Sequence, residues 1–344
     1  MNGNISVLDP TKVPDWDKRL YGFKDFSPFH TSGWARALIE AYGFTPLYFT
    51  RLDNGSIKSV VPLMEVRSLV TGARGVCLPF TDLSPALLED PAEAGEFLSM
   101  IRSYGLKRGW RRIEFRDGFK DAHSSYSSYL HHETDIGKSD DELLRSFRDS
   151  TGRNIKKAAI SCNLRTKVER SAEAMDEFYR LNCLSRKRKG LPPQPRSFFR
   201  SLQKSVISRG KGFVSLACKD GAVLSASVFL SSGQKAVYKY GASLKGADET
   251  RASYLIMWEA IRRLRDDGVV SLSFGRTERT NAGLLQLKSG WGAKAEPLYY
   301  YRYDLRKMCF VTGKEAVSPS YRPFKVLPMP VLRALGALLY RHTG

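Results

Sequence analysis

Residues 269–293, VVSLSFGRTERTNAGLLQLKSGWGA, gather the side chains best suited to chemistry. A β-branched and apolar run breaks at Gly275 and gives way to Arg276, Thr277, Glu278, Arg279, Thr280 and Asn281. A second apolar step, Leu284-Leu285-Gln286-Leu287, leads to Lys288 and then to Gly290-Trp291-Gly292. A strand that ends in a glycine and a polar loop, followed by a short helix, is where α/β sheets place ligands. The C-terminal edge of the strand is open there, and the next helix offers unpaired N–H groups to an anion. Arg276 brings a planar fork, Lys288 a compact charge, and the two glycines let a ligand approach the backbone closely.

The elements that must hold this stretch follow from period and punctuation. TSGWARALIEAY (31–42) reads as a helix capped by Thr31 or Ser32 and stopped by Gly43. Strands at 46–51 and 56–66 flank Asp53-Asn54-Gly55, a strong hairpin signal. A helix near 92–107 and a strand at 111–116 follow, and 118–138 reads as a polar linker. Its adjacent His131 and His132 do not share a face of a helix or strand, so no metal pair is expected. Ser139-Asp140-Asp141-Glu142 is a capping box that opens one helix carrying Leu143, Leu144, Phe147, Ile155 and Ala158. Helices at about 171–189 and 197–208 come next, then strands at 212–219 and 222–230 about Asp220-Gly221, and a strand at 235–240. A helix at 251–267 leads to the strand 269–274, and the tyrosine-rich strand 297–303 closes that unit.

The second half repeats the order of the first. GFTPLYFTRLDNGSIKSVVPLMEV parallels GKGFVSLACKDGAVLSASVFLSS, and FLSMIRSYGLKRGWRRIEFRDG parallels LIMWEAIRRLRDDGVVSLSFGRT. The repeat implies an α/β protein with mixed sheets, in two similar domains with a cleft between them. The expected division is 1–138, 139–310 and a C-terminal tail, 311–344.

The net charge of +20 is uneven. Residues 145–211 hold 18 Lys/Arg against 5 Asp/Glu, a net +13. A basic concentration of this kind fits a polyanion such as tRNA, a pyrophosphate-bearing substrate or an anionic lipid surface. The five cysteines are scattered without a CxxC pair, which supports neither a disulfide framework nor a zinc site. No signal peptide is expected from the first twenty residues. The segment 326–340, VLPMPVLRALGALLY, holds two prolines and Arg333 and is shorter than the ~20 apolar residues a spanning helix needs. A cytoplasmic protein is expected, with peripheral contact at the inner face of a membrane through this tail.

SFGRT, NAGLLQLKSGWGA and EPLYYYRY together resemble the C-terminal signature of the Fem-like branch of the GNAT acyltransferases. The pattern departs twice: Ser273 stands where the branch usually has Asp, and Leu287 where it has Phe. The resemblance implies tandem GNAT domains, a C-terminal tail packed back on the first of them or on a membrane surface, and an enzyme that transfers an aminoacyl or acyl group to the amine of a cell-envelope precursor, whether peptidoglycan, polysaccharide or lipid. No bound cofactor is implied; the donor is aminoacyl-tRNA, or an acyl group on coenzyme A or an acyl carrier protein. Two rival readings are an acyl-thioester-dependent N-acyltransferase of lipid or exopolysaccharide biosynthesis, and a non-catalytic RNA- or membrane-binding protein on a decayed GNAT fold.

Acyl transfer to an amine needs an activated donor, a neutral amine and a stabilised tetrahedral oxyanion. Alkyl amines titrate near ~10.4, so some group must accept the proton. Lys288, which matches the motif lysine of the family, is expected to stabilise the oxyanion or a donor phosphate. It is expected in a polar cleft, where its loss would leave stability unchanged. Asp82 matches an acidic position of the family's first domain and would hold the amine or take its proton. Arg276 would orient donor or acceptor. Tyr238 and Tyr240 match a Tyr-x-Tyr-Gly-Ala-Ser step, and alternation puts both on one face as a cleft wall. Arg188 resembles an Arg-x-Gly-x-Pro element, and Arg153, Lys156 and Lys157 a second basic element; both suit phosphate. The loop 241–248 lacks the Arg/Gln-x-x-Gly-x-Gly/Ala of acetyl-CoA-binding GNAT proteins, which favours aminoacyl-tRNA or a longer acyl thioester.

Overall fold

Both expected hairpins form, and for the same reason. Asn54 and Gly55 turn with φ of 47° and 78°, and Asp220 and Gly221 with 48° and 78°, the left-handed pair that matches the twist of flanking strands. A computed structural model describes residues 4–117, 125–313 and 322–343. It divides into two compact units, one of Met1–Tyr129, Pro297–Ser318 and Leu338–Gly344, the other of Leu130–Glu296 and Pro319–Ala337.

The chain begins with β1 (Ile5–Leu8), α1 (Trp16–Arg19), α2 (Ser32–Tyr42), β2 (Thr45–Asp53), β3 (Ser56–Ser68), β4 (Gly72–Val76), α3 (Ala94–Lys107) and β5 (Arg112–Arg116). It continues through β6 (Ser127–Asp135), α4 (Asp140–Ser146), α5 (Asp149–Lys156), β7 (Arg165–Glu169), α6 (Ala172–Arg188) and α7 (Arg196–Ser205). Then come β8 (Gly212–Lys219), β9 (Ala222–Ser232), β10 (Lys235–Ser243), α8 (Ala252–Asp266), β11 (Ser271–Thr277), α9 (Ala282–Ser289), β12 (Lys294–Asp304), β13 (Cys309–Phe310) and α10 (Met329–Thr343).

The sheet of the first unit runs β1-β2-β3-β4-β5-β12, and that of the second runs β6-β11-β10-β9-β8-β7. Each has one parallel step, β4 beside β5 and β10 beside β11, bridged by α3 and α8 respectively; every other described pairing is antiparallel. The repeated sequence is therefore a repeated fold: two tandem GNAT-like domains in an α/β protein.

Three details depart from the sequence expectation. The tyrosine-rich strand does not close the second unit: from Pro297 onward β12 belongs to the first, with Tyr300 to Asp304 opposite Arg116 to Arg112. The place beside β11 is taken by β6, from the expected linker, with Leu272 opposite Thr134 and Gly275 opposite His132. The linker residues 118–124 lie outside the described structure. Finally, the single helix expected from Ser139 breaks at Phe147, whose backbone is extended (φ −79°, ψ 157°). The break sends the Phe147 ring edge-on to Trp258 and Trp291 in the core. Burying a large apolar side chain is worth about 1.5–3 kcal/mol, more than the few tenths per residue that an unbroken helix adds.

Candidate functional site

In the second unit β10 and β11 pair only through Lys235–Ser271, Ala236–Leu272 and Val237–Ser273. Irregularities sit on both strands just beyond: β10 shifts register against β9 between Tyr238 and Tyr240, and β11 against β6 between Ser273 and Gly275. The two strands thus part after Val237 and Ser273, and the part of each edge that follows has no partner in the other. The first unit treats its parallel pair differently. There Cys77 N–H donates to Glu114 O at 2.8 Å and Ser84 N–H to Arg116 O at 3.0 Å, so its own chain fills the edge of β5. Leu78 and Phe80 take positive φ, 39° and 63°, to make that return. The open edge belongs to the second unit.

The bulge on β11 is held from two sides. Ser273 Oγ accepts from Gly275 N–H at 3.1 Å, so the residue that replaces the usual acid still caps the bulge with an oxygen. Lys288 is buried, and its Nζ donates to Gly275 O at 2.9 Å and Arg276 O at 3.0 Å. The expected lysine in a polar cleft is therefore corrected: α9 aims it into the protein, where it pins the end of β11 just past the bulge. The other departure, Leu287, is exposed and holds no core. Asn281 caps α9 through Oδ1, which accepts from Leu284 N–H at 3.1 Å.

The tyrosine pair is corrected as well. The irregularity between them puts Tyr238 and Tyr240 on opposite faces: Tyr238 packs on Phe229 and Phe274, Tyr240 among Phe178, Phe198 and Phe199. Tyr238 lays its hydroxyl over Gly241, where a Cβ would lie 1.8 Å from it. Gly290-Trp291-Gly292 is not a ligand approach either. Trp291 is core, Gly290 O accepts from Arg148 N–H and Thr151 Oγ1, and a Cβ at Gly292 would lie 3.3 Å from Ser146 O. The glycines admit the α4–α5 turn.

Arg188 lines a hollow of about 690 Å³ with Leu184, Lys187, Leu244, Lys245 and Lys325. The volume is that of a small-molecule site. Its lining has four cations, two leucines and no carboxylate. Arg188 Nη2 donates to Ser185 Oγ at 3.0 Å and also to Ser243 O, tying the end of α6 to the end of β10. Arg153, Lys156 and Lys157 do not line this hollow; Arg153 and Lys156 stand exposed on α5, whose Thr151 and Ile155 face the core, and Lys157 is exposed just beyond its end. Part of the basic segment is internally neutralised, since Arg180 pairs with Glu177 and Arg196 with Asp176. Asp82 lies in the first unit, half-buried in the loop that fills the β5 edge, and its carbonyl accepts from Tyr300 Oη.

The expected linker supplies a polar cluster that sequence does not assemble. His131 Nε2 lies 3.5 Å from both Ser273 Oγ and Glu133 Oε2, and Ser271 Oγ donates to Glu133 Oε1 at 2.5 Å. Hydrogen bonds from His131 and Ser271 hold Glu133 at about 2 despite its burial. The signal was the alternation in HHET, hidden by polarity.

His132 points to the other face and is 2% exposed, with neither ring nitrogen hydrogen-bonded among the described residues. Burial first, then Lys288 and His131, depress it to about 4 from the ordinary 6.5. Below 6.5 the unfolded chain takes up a proton that the folded one refuses. Stability is therefore expected to fall as pH drops from 6.5 towards 4 and to level off below. The loss is about 2 kcal/mol by pH ~5. Melts from pH ~7 to ~5 should show this slope in the wild type and a flatter one in His132→Gln; equal slopes would remove His132 as the cause.

Residues 145–282 match the family described as an acetyltransferase (GNAT) domain. The match falls within the second unit, whose one parallel pair parts midway. The whole fold is similar to the crystal structure of FemX, at 16% identity over 85% of this chain and 95% of that one, with a TM-score of 0.68. It is similar to L-PGS from Bacillus licheniformis, at 13% identity over 96% and 98% of the chains with a TM-score of 0.56. A tandem GNAT protein from the clavulanic acid biosynthesis pathway aligns at 12% identity over 79% and 87%, with a TM-score of 0.52. The Fem-like resemblance thus holds at the level of the fold. No curated protein matches the chain in sequence. Among the described residues no helix is long and apolar enough to cross a membrane, and no group of His, Cys, Asp and Glu is arranged to hold a metal.

Proposed function

We propose that the protein is a Fem-like N-acyltransferase that moves an aminoacyl group from aminoacyl-tRNA to an amine on an anionic cell-envelope precursor. The observation that carries this reading is the parting of β10 and β11 after Val237 and Ser273, in the unit that also holds a carboxylate-free cationic hollow. The acyl carbonyl lies in the gap, where released strand-edge amides polarise it. Lys288 acts by position and field: it fixes Gly275 and Arg276 and keeps a positive charge under the loop. Arg276, beside the gap, orients the donor. Lys187, Arg188 and Lys245 hold phosphate or carboxylate groups of the substrate, and the exposed Arg153, Lys156 and Lys157 offer a surface to the tRNA backbone.

The amine must lose a proton as the amide forms. His131, oriented by Glu133 on the strand beside β11, is the acceptor proposed in this unit; Asp82, from the family resemblance, is the alternative. An acyl-coenzyme A donor is less favoured. The turn entering α8 carries Asp248 and Glu249, both exposed, and Arg251 N–H is already bonded to Asp248 O. A pyrophosphate would need donors there.

Mass spectrometry of the small molecules and RNA that co-purify with the protein tests the donor. Bound tRNA supports the proposal; a bound acyl thioester, with tRNA absent, would replace it by the thioester reading.

A further inference from the structure

The turn between β3 and β4 is out of character with the other hairpins. Asn-Gly and Asp-Gly reverse the chain at 54–55 and 220–221, as turns ordinarily do. Residues 68–71 instead present Leu69 and Val70 to solvent, at 103% and 75% relative exposure. The turn is not loose. Ser68 Oγ accepts from Val70 N–H at 3.1 Å and Thr71 N–H at 2.9 Å, so the tip is built by its own first residue.

The tip is fastened to the last turn of α10, in the same unit. His342 Nδ1 and Ser68 Oγ lie 3.0 Å apart. Buried Arg74 donates to Thr71 Oγ1 at 2.6 Å and to His342 O at 2.8 Å, capping the negative end of the helix. Leu338, in that part of α10, is 57% exposed.

Cations ring the tip. Arg67 and Arg108 are exposed, Arg341 is exposed in the last turn of α10, and Arg111 packs its side chain where a Cβ of Gly72 would be. Two carboxylates stand nearby. Glu65 is buried and held by Arg67, Arg108 and Trp110; Glu114 is taken by Arg74, Arg112 and Arg302.

We propose that this surface docks the first unit on an anionic lipid bilayer, with Leu69 and Val70 inserted among the acyl chains and the arginines at the headgroups. A rigid apolar tip inside a cationic ring matches the layering of such a membrane, apolar below and negative at its surface. Nucleic acid would use the cations and leave two aliphatic side chains in water. The proposal does not depend on the transfer reaction, since partition to a bilayer needs no substrate.

Flotation of the full chain with vesicles tests it. Wild type should float with vesicles of phosphatidylcholine and phosphatidylglycerol and remain behind with phosphatidylcholine alone. Leu69→Asp with Val70→Asp should weaken the association at least about tenfold with an unchanged melt. In a Leu69→Trp protein, the indole emission should shift to the blue when anionic vesicles are added. Three results would overturn the proposal: no flotation of wild type; equal flotation of the double variant, a purely electrostatic contact; or a dimer in solution that the double variant abolishes.

Discussion

Lys288→Ala is expected to lower stability and turnover together. The ammonium is buried and donates to two carbonyl oxygens at the end of β11, so its removal leaves Gly275 O and Arg276 O without those donors. Losing charge-assisted bonds while exposing no compensating water costs about 2–4 kcal/mol, enough to displace the melt by several degrees. Turnover should fall by about 10²–10³, because the end of β11 then no longer presents Arg276 beside the gap between β10 and β11. Lys288→Met keeps most of the volume and removes only the charge and the donors, so it should lose activity with a smaller loss of stability. Lys288→Arg should rescue neither, since a planar fork cannot fill the place of a compact ammonium. Melts beside single-turnover kinetics check all three. An unaltered melt in the alanine protein would contradict the buried geometry.

Charge reversal in the hollow should act on binding instead. Lys187→Glu with Lys245→Glu replaces two of its four cations by carboxylates and leaves the structural ties of Arg188 in place. A charge-assisted bond to an anion is worth about 1.5–3 kcal/mol, so two lost contacts imply about 10²–10⁴ in affinity for an anionic substrate. Stability should hardly change, because neither side chain is buried. The salt dependence of binding should become shallower in the same variant. Retained affinity with an unchanged salt slope would show the hollow to be unused.

How much of this was legible in the sequence depended on whether local chemistry or tertiary context decides. The hairpins were legible because Asn54-Gly55 and Asp220-Gly221 have few alternatives. The helix α2 was legible from its cap: Thr31 Oγ1 accepts from Trp34 N–H and Gly43 ends it with φ 71°. Strand β6 was not, because Ser-Ser-Tyr-Leu-His-His-Glu-Thr-Asp is polar, and its residues 130–135 gain strand partners by docking on β11. The register shift that separates Tyr238 from Tyr240 leaves no mark in a Tyr-x-Tyr step, whose alternation predicts one face. Composition likewise gives no sign that Lys288 points inward. The segment 275–281 was found by pattern, although its first three residues are the end of β11; the hollow draws Leu184, Leu244, Lys245 and Lys325 from separate segments that only the fold assembles. Leu69 and Val70 were too short a run to notice in sequence; their exposure alone distinguishes them.

We propose that the second unit transfers an aminoacyl group from tRNA to an amine, with the donor seated where β10 and β11 part. The most direct measurement is single-turnover discharge of a labelled aminoacyl-tRNA pool in the presence of amine-bearing envelope extracts, run beside the same assay with labelled acyl-coenzyme A. Label is expected to pass from tRNA into an amide, acyl-coenzyme A to stay intact, and Lys187→Glu with Lys245→Glu to slow the transfer. Intact aminoacyl-tRNA alongside acyl transfer from the thioester would contradict the proposal.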